Sequence, residues 1–264
     1  MTITHLNCGT MHPLGGTRMV CHVLLVETEG GLVLVDTGFG RRDLADPVGR
    51  LGRPLTSIIR PELAYEETAL SQVEALGYDP TDVTDIVMTH LDSDHTGGID
   101  DFPTARLHVS ARELANADSE PGPSAAVRNR PWRRSKHPDD VQTYTASADD
   151  WFGFPAAALS GLGDDFAYVA LPGHTEGHMG VAVRDGDGWL LHCGDAFYHQ
   201  NAAQGGRVPA SMAFSQFVTA RRPRDARRTR RRLADLCSAS AANVQLICAH
   251  DAVQFDESVR RQDA

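Results

Sequence analysis

Apolar residues along the chain fall into short runs broken by glycine, proline and acidic residues. The runs from Val20 to Val26 and from Leu32 to Val35 read as strands. Glu27-Thr28-Glu29-Gly30-Gly31 lies between them as turn chemistry, which predicts a hairpin. Further strands are predicted from Asp85 to Thr89, Arg106 to Val109, Phe166 to Leu171, Met179 to Val183, Trp189 to Cys193 and Val244 to Ala249. Asp185-Gly186-Asp187-Gly188 joins two of these as a second hairpin. Helical spacing appears instead at Ala69, Leu70, Val73 and Leu76, within a helix from Glu66 that Gly77 is placed to stop. A second helix is expected from Ala111 to Ala117.

Periodicity fades between residues 118 and 150, which carry Pro121, Pro123, Pro131 and Pro138. A stretch of this length without pattern, inside one domain spanning 1–264, reads as a loop or lid insertion. Its aromatic residues Trp132, His137 and Tyr144 either close over a cleft or pin the loop to the core. Neither a short internal repeat nor a dividing linker is visible.

Composition narrows the class. The 264 residues are 41% hydrophobic and 23% charged, enough apolar content for a substantial core. No apolar run approaches the ~20 residues needed to cross a bilayer, and the N-terminus lacks a signal-peptide pattern. The five cysteines are scattered without a C-x-x-C pair, so reduced, mostly buried thiols and a cytoplasmic location are expected. A net charge of -10 argues against nucleic-acid binding. The arginine run from Arg221 to Arg232 goes the other way. With Pro223 and Asp225 at its start and Leu233 and Leu236 inward, it reads as a solvated helix face, with phosphate binding as the minor alternative.

The chemistry is concentrated in His90-Leu91-Asp92-Ser93-Asp94-His95, followed by Thr96-Gly97-Gly98. Four metal-ligating side chains within six residues, directly after a strand, are too dense for an ordinary polar loop. Asp36, His174, Asp195 and His250 likewise stand at or just after strand ends. Ends of several strands converge on one sheet edge, where a site can be built from distant sequence. Imidazoles mixed with carboxylates suit zinc, iron or manganese better than calcium or magnesium. The donors outnumber one tetrahedral shell. Two ions about 3.5–4 Å apart, bridged by a carboxylate and a water, would use them all.

The H-x-D-x-D-H-x-G-G motif, the Gly173-His174-Thr175 segment, Gly194-Asp195 and Ala249-His250-Asp251 resemble the metallo-β-lactamase-fold hydrolases, in matching order from Val20 to Asp251. The resemblance implies an α/β (α+β) fold, a four-layered αβ/βα sandwich of two mixed β-sheets with helices on both outer faces. It also implies two divalent metal ions, zinc first, with iron or manganese as rivals. His90, Asp92 and His174 would hold the first ion, Asp94, His95 and His250 the second, and Asp195 would bridge them. Asp94 would also take the leaving-group proton. Asp36 would orient ligands by hydrogen bonding; His178, close by in Gly173–His178, either does the same or is a buried, hydrogen-bonded histidine. Asp92 departs from the commonest motif, which has His there. Its anionic arm either shifts the preference toward iron, as in the related diiron proteins, or leaves the first site weak.

Tyr198, three residues after Asp195, matches the offset of a tyrosine in acyl-homoserine lactone lactonases of this superfamily. There it would meet the lactone carbonyl and assist an oxyanion. The expected activity is therefore hydrolysis of an ester or lactone, homoserine-lactone type first. A diiron redox or oxygen-handling protein and a phosphodiesterase-type hydrolase are the alternatives. The expected partner is a small-molecule ester or lactone, with neither nucleic acid nor membrane; a homodimer is compatible with this reading.

Overall fold

The computed structural model describes residues 1–264 apart from 14, 120–127, 136–139, 147–148, 240–242 and 263–264. Twelve strands form two six-stranded mixed sheets. The first comprises β1 (Thr2–Met11), β2 (Met19–Thr28), β3 (Gly31–Val35), β4 (Val83–Val87), β5 (Arg106–Ser110) and β6 (Val141–Tyr144), in that spatial order. Its first two pairings are antiparallel and the other three parallel. The second runs, by position, β12 (Val244–Ile247), β11 (Gly188–His192), β10 (Met179–Asp185), β9 (Phe166–Ala170), β8 (Phe154–Ala157) and β7 (Asp149–Trp151). Only its β11–β12 pairing is parallel.

The long apolar runs follow from burial on both sheet faces. Along β2, Leu24 and Val26 turn toward the second sheet and pack with Tyr168, Val181, Leu190 and Ile247. The alternate residues Val23 and Leu25 face outward under Leu70 and Val73 of the helix Ala69–Ala75. On the other outer face, Leu191 and Leu246 meet Leu233 and Leu236 of the helix Pro223–Ser238. Each fully buried side chain of this size contributes about 1.5–3 kcal/mol before entropic costs. The result is helix, sheet, sheet, helix, the expected sandwich.

Element boundaries differ where the site begins. The strand expected to reach Thr89 stops at Val87. Its neighbour β3 stops at Val35 because Asp36 turns into left-handed backbone at φ 61°. With no strand left alongside, the Thr89 N–H donates to the Asp36 carboxylate at 2.8 Å. The final strand also stops short, at Ile247, and the Cys248 N–H turns to the Gln254 amide oxygen at 3.0 Å. The helix expected from Glu66 is a 3₁₀ turn, Tyr65–Glu67, and then Ala69–Ala75, separated by Thr68, whose hydroxyl caps Ser71 N–H.

The opening residues form β1, which the sequence reading missed because Thr2, Thr4, Asn7 and Thr10 dilute its apolar positions. Parts of the aperiodic stretch are regular. Trp132, in the helix Arg130–Arg134, is in the core under the first sheet. Tyr144 in β6 stacks on His108 and meets Tyr168 edge-on. Those two aromatics pin their segments; His137, Pro121, Pro123 and Pro138 lie outside the described residues. Four cysteines are buried and Cys237 is half-buried, all as free thiols. No helix among the described residues is long and apolar enough to cross a membrane.

Away from the site, His5 Nδ1 and His22 Nε2 are 2.8 Å apart where β1 meets β2. Burial, with His192 and Arg261 nearby, lowers His5 to about 4. The folded value lies below the unfolded ~6.5, so this contribution is complete above ~6.5 and is lost as pH falls toward 4. Its size is on the order of 3 kcal/mol. Urea midpoints at pH 7 and pH 4.5 should therefore show a smaller acid loss for His5→Gln than for the wild type. Equal losses would remove His5 from the acid sensitivity.

Candidate metal centre

The site lies along the edge where strand ends of both sheets meet, and backbone bonds stitch that edge. Met179 N–H donates to Thr89 C=O at 2.9 Å, Ala249 N–H to Gly194 C=O at 3.1 Å, and His22 N–H to Ala249 C=O at 2.9 Å. The turn after β3 is pressed onto the loop after β4. Thr37 N–H donates to His95 C=O at 2.9 Å. A Cβ on Gly97 would sit 2.8 Å from the Gly38 carbonyl oxygen, and one on Gly38 only 2.2 Å from that of Cys8. Only glycine permits this approach, and Gly38 also stands at φ 62°.

Two donor clusters result, His90–His174–Asp195 and Asp94–His95–His250. Asp195 faces both. Its Oδ2 is 3.3 Å from His174 Nε2 and 3.8 Å from His90 Nε2. Its Oδ1 is 3.0 Å from His250 Nε2 and 3.3 Å from His95 Nε2. Asp94 Oδ2 is 3.5 Å from His250 Nε2. Asp92 Oδ2 lies 2.9 Å from His174 Nε2 and 3.6 Å from His90 Nε2. Donor atoms about 3.3 Å apart are the edges of a tetrahedron with ~2.0–2.1 Å metal bonds.

Hydrogen bonds set the direction of each ring. A carbonyl oxygen can only accept, so His250 Nδ1 carries the proton it shares with Val20 C=O at 2.8 Å. His95 Nδ1 donates to Asp36 Oδ2 at 2.8 Å. Thr89 Oγ1 gives its proton to Asp36 Oδ2 at 2.7 Å and so accepts from His90 Nδ1 at 3.0 Å. All three rings therefore present an Nε2 lone pair. Among the described residues, His90 Nε2 and His95 Nε2 are buried without a hydrogen-bond partner. Buried acceptors normally find one, so orphans aimed at shared space fit bound cations. The site chemistry and these orphans fit divalent metal.

Burial pushes the Asp195 carboxyl up, but His250, His174 and His95 together hold it well below the usual carboxylate range. Asp36 is held low in the same manner, its burial outweighed by His95. Burial raises Tyr198 well above the usual phenol value, and Asp195 adds to this. Its hydroxyl is 3.0 Å from both Asp195 Oδ2 and Thr219 Oγ1. His178 is buried between Leu171 C=O, to which its Nδ1 donates at 3.1 Å, and Asp195 N–H, which donates to its Nε2 at 3.0 Å. It touches the site through the Asp195 backbone.

Sequence reasoning did not find Thr89, Glu113, Thr219 or Arg128. Glu113 is buried and accepts from Leu91 N–H at 3.2 Å and Thr175 Oγ1 at 2.6 Å, tying two site loops together. Arg128 grips Asp92 through both carboxylate oxygens. Neither carries a motif: Glu113 is one acid in a helix and Arg128 one base in an aperiodic stretch. A cavity of about 160 Å³ opens above the clusters, with Asp92, Asp94, Asp195, Tyr198 and His250 on its floor. Met11, Met19, Leu55, Ile58, Ile59 and Val218 form its walls.

A sequence profile of the metallo-beta-lactamase superfamily matches residues 16–236. A probable metallo-hydrolase of Mycobacterium tuberculosis is 43% identical over 251 residues, covering 94% of this chain and 80% of its own. An N-acyl homoserine lactonase of Azorhizobium caulinodans is 32% identical over 181 residues, covering 66% of this chain and 64% of its own. Among solved structures, an N-acyl homoserine lactone hydrolase with the product N-hexanoyl-L-homoserine at its catalytic metal centre superposes with a TM-score of 0.72. It is 19% identical and covers 97% of this chain and 95% of its own, so the likeness is one of fold.

Asp36 orients His95 directly and His90 through Thr89. Asp36→Ala should weaken metal retention on the order of 10- to 100-fold, read by competition with a chromophoric chelator. Retention within twofold of wild type would mean packing alone aims the rings.

Proposed function

The chain belongs to the metallo-beta-lactamase superfamily and is a metal-dependent hydrolase, and from that premise we propose that it opens lactones or esters bearing an apolar acyl chain. N-acyl homoserine lactones are the first substrate class to test. The observation that carries this reading is the cavity: apolar walls of acyl-chain character over a floor of carboxylates, imidazoles and one phenol. The lactonase relative supports it from the sequence side.

In this reading His90, Asp92 and His174 would hold one ion and Asp94, His95 and His250 the other, with Asp195 within reach of both groups. When bound, the ions supply an activated water and polarise the scissile carbonyl. The protein's own groups do the rest. Met19, Ile58 and Val218 exclude water and receive the acyl chain. Tyr198 keeps its proton at neutral pH, since burial and Asp195 both oppose the phenolate. It can turn that proton from Asp195 toward an oxygen gaining negative charge. Asp94, part-exposed at the cavity floor, accepts the proton released at the nucleophile and returns it to the departing alkoxide.

Asp92 motivates one other reading, a diiron centre with redox or oxygen chemistry, because a carboxylate replaces an imidazole among the donors. Elemental analysis of protein purified without added metal separates the two: two irons and visible absorption favour the redox centre, zinc or manganese the hydrolase.

The catalytic test is a panel of acyl-homoserine lactones, simple esters and a phosphodiester, followed by proton release. Lactones should be opened fastest. Tyr198→Phe should lower kcat on the order of tenfold, less than loss of a dedicated oxyanion donor. Asp195→Ala should abolish turnover. Full activity in Asp195→Ala would sink the assignment of the centre, and an unchanged rate in Tyr198→Phe would remove the tyrosine from it.

A further inference from the structure

The two donor clusters are not equivalent. Around Asp94, His95 and His250 the described residues bring no cationic side chain against the donors. At the other cluster a guanidinium is in place. Arg128 Nε donates to Asp92 Oδ1 at 3.0 Å, and its Nη2 donates both to Asp92 Oδ2 and to His174 Nε2, the latter at 2.7 Å. Its Nη1 donates to Thr219 C=O at 2.7 Å. All three nitrogens are thus engaged, and the side chain is only 15% exposed. The backbone is docked as well, since the Ser93 hydroxyl donates to the Arg128 carbonyl.

This placement matters because of which atoms it uses. Asp92 Oδ2 and His174 Nε2 lie 2.9 Å apart, within hydrogen-bonding reach of each other as well as of Arg128 Nη2. One cationic N–H group shared between them holds them there, which is what an ion would otherwise do. Whether Nε2 accepts from Arg128 or donates to Asp92, the His174 atom that would bind metal is already engaged. His174 differs from the other three rings in a second respect: its buried Nδ1 finds no hydrogen-bond partner among the described residues, so nothing fixes the ring in a metal-binding tautomer.

We propose that Arg128 is an internal competitor for the first metal site, so that the chain binds one ion tightly through Asp94, His95, His250 and Asp195 and a second weakly through His90, Asp92 and His174. The inference rests on the reading of the two clusters as metal sites. It also gives the Asp92 departure a physical reason: an imidazole at 92 would not attract a guanidinium, whereas a carboxylate there makes a matched pair with Arg128. The second ion enters when Nη2 gives up His174 Nε2 and Asp92 Oδ2, and repulsion between the guanidinium and a dication opposes that step.

The test is zinc binding to the full chain after metal removal, by calorimetry and chelator competition. Wild type should take one zinc at least about tenfold more tightly than the second, and Arg128→Gln should tighten the second on the order of 10- to 100-fold. His90→Ala should keep the tight site and His250→Ala should lose it, so the order of filling is read even if the Arg128 variant does not fold. Two zinc ions of equal affinity in wild type would overturn the inference and leave the hydrolase reading intact. So would an unchanged second affinity in folded Arg128→Gln. No zinc, manganese or iron at either site would overturn both together.

Discussion

The Asp36 carboxylate organises the site edge. It stands on a left-handed residue, buried, and accepts from Thr89 N–H, Thr89 Oγ1 and His95 Nδ1. Left-handed backbone costs on the order of 1 kcal/mol for a non-glycine residue, and burying a charge costs more unless hydrogen bonds compensate it. Three donors on one carboxylate are that compensation. The same turn ends β3, which removes one of the two partners of β4 and frees Thr89 and His90 from that side of the ladder. Strand ending and histidine orientation are therefore one event.

At that edge the four imidazoles are not held alike. His90, His95 and His250 each have a proton fixed on Nδ1 by a named acceptor, so their lone pairs are aimed before any ligand arrives. Preorganisation of this kind avoids reorganisation at the moment of reaction. His174 has no such anchor and leans on Arg128. Three of the rings are set by hydrogen bonds to fixed acceptors, and the fourth leans on a guanidinium from the aperiodic stretch. Asp92 and Arg128 line the apolar cavity together with Asp94, Tyr198 and His250, where a substrate would be met.

Much of the fold was legible because strands buried on both faces announce themselves as unbroken apolar runs, and their turns carry glycine with acidic neighbours. β2, β3, β9, β10 and β11 were readable for that reason. β1 was not, since a partly exposed strand with threonine and asparagine has no such signature. Trp132 and Tyr144 could not be assigned to core or lid, because an aromatic in an aperiodic stretch has the same sequence signal in either role.

The sequence by itself determined the donor inventory and its order, because metal-binding side chains are few and their density after a strand is improbable by chance. It also carried the motifs whose resemblance to a known family implied the sandwich. Tertiary structure decided how those donors are used. Which nitrogen of each histidine faces inward depends on Val20 C=O, Asp36 and Thr89, two of them far away in sequence. That Asp92 is shared with Arg128 depends on a contact 36 residues away with no periodic trace. Hydrogen bonds and ion pairs of this kind are set by where the packed sheets leave room, which local pattern does not encode.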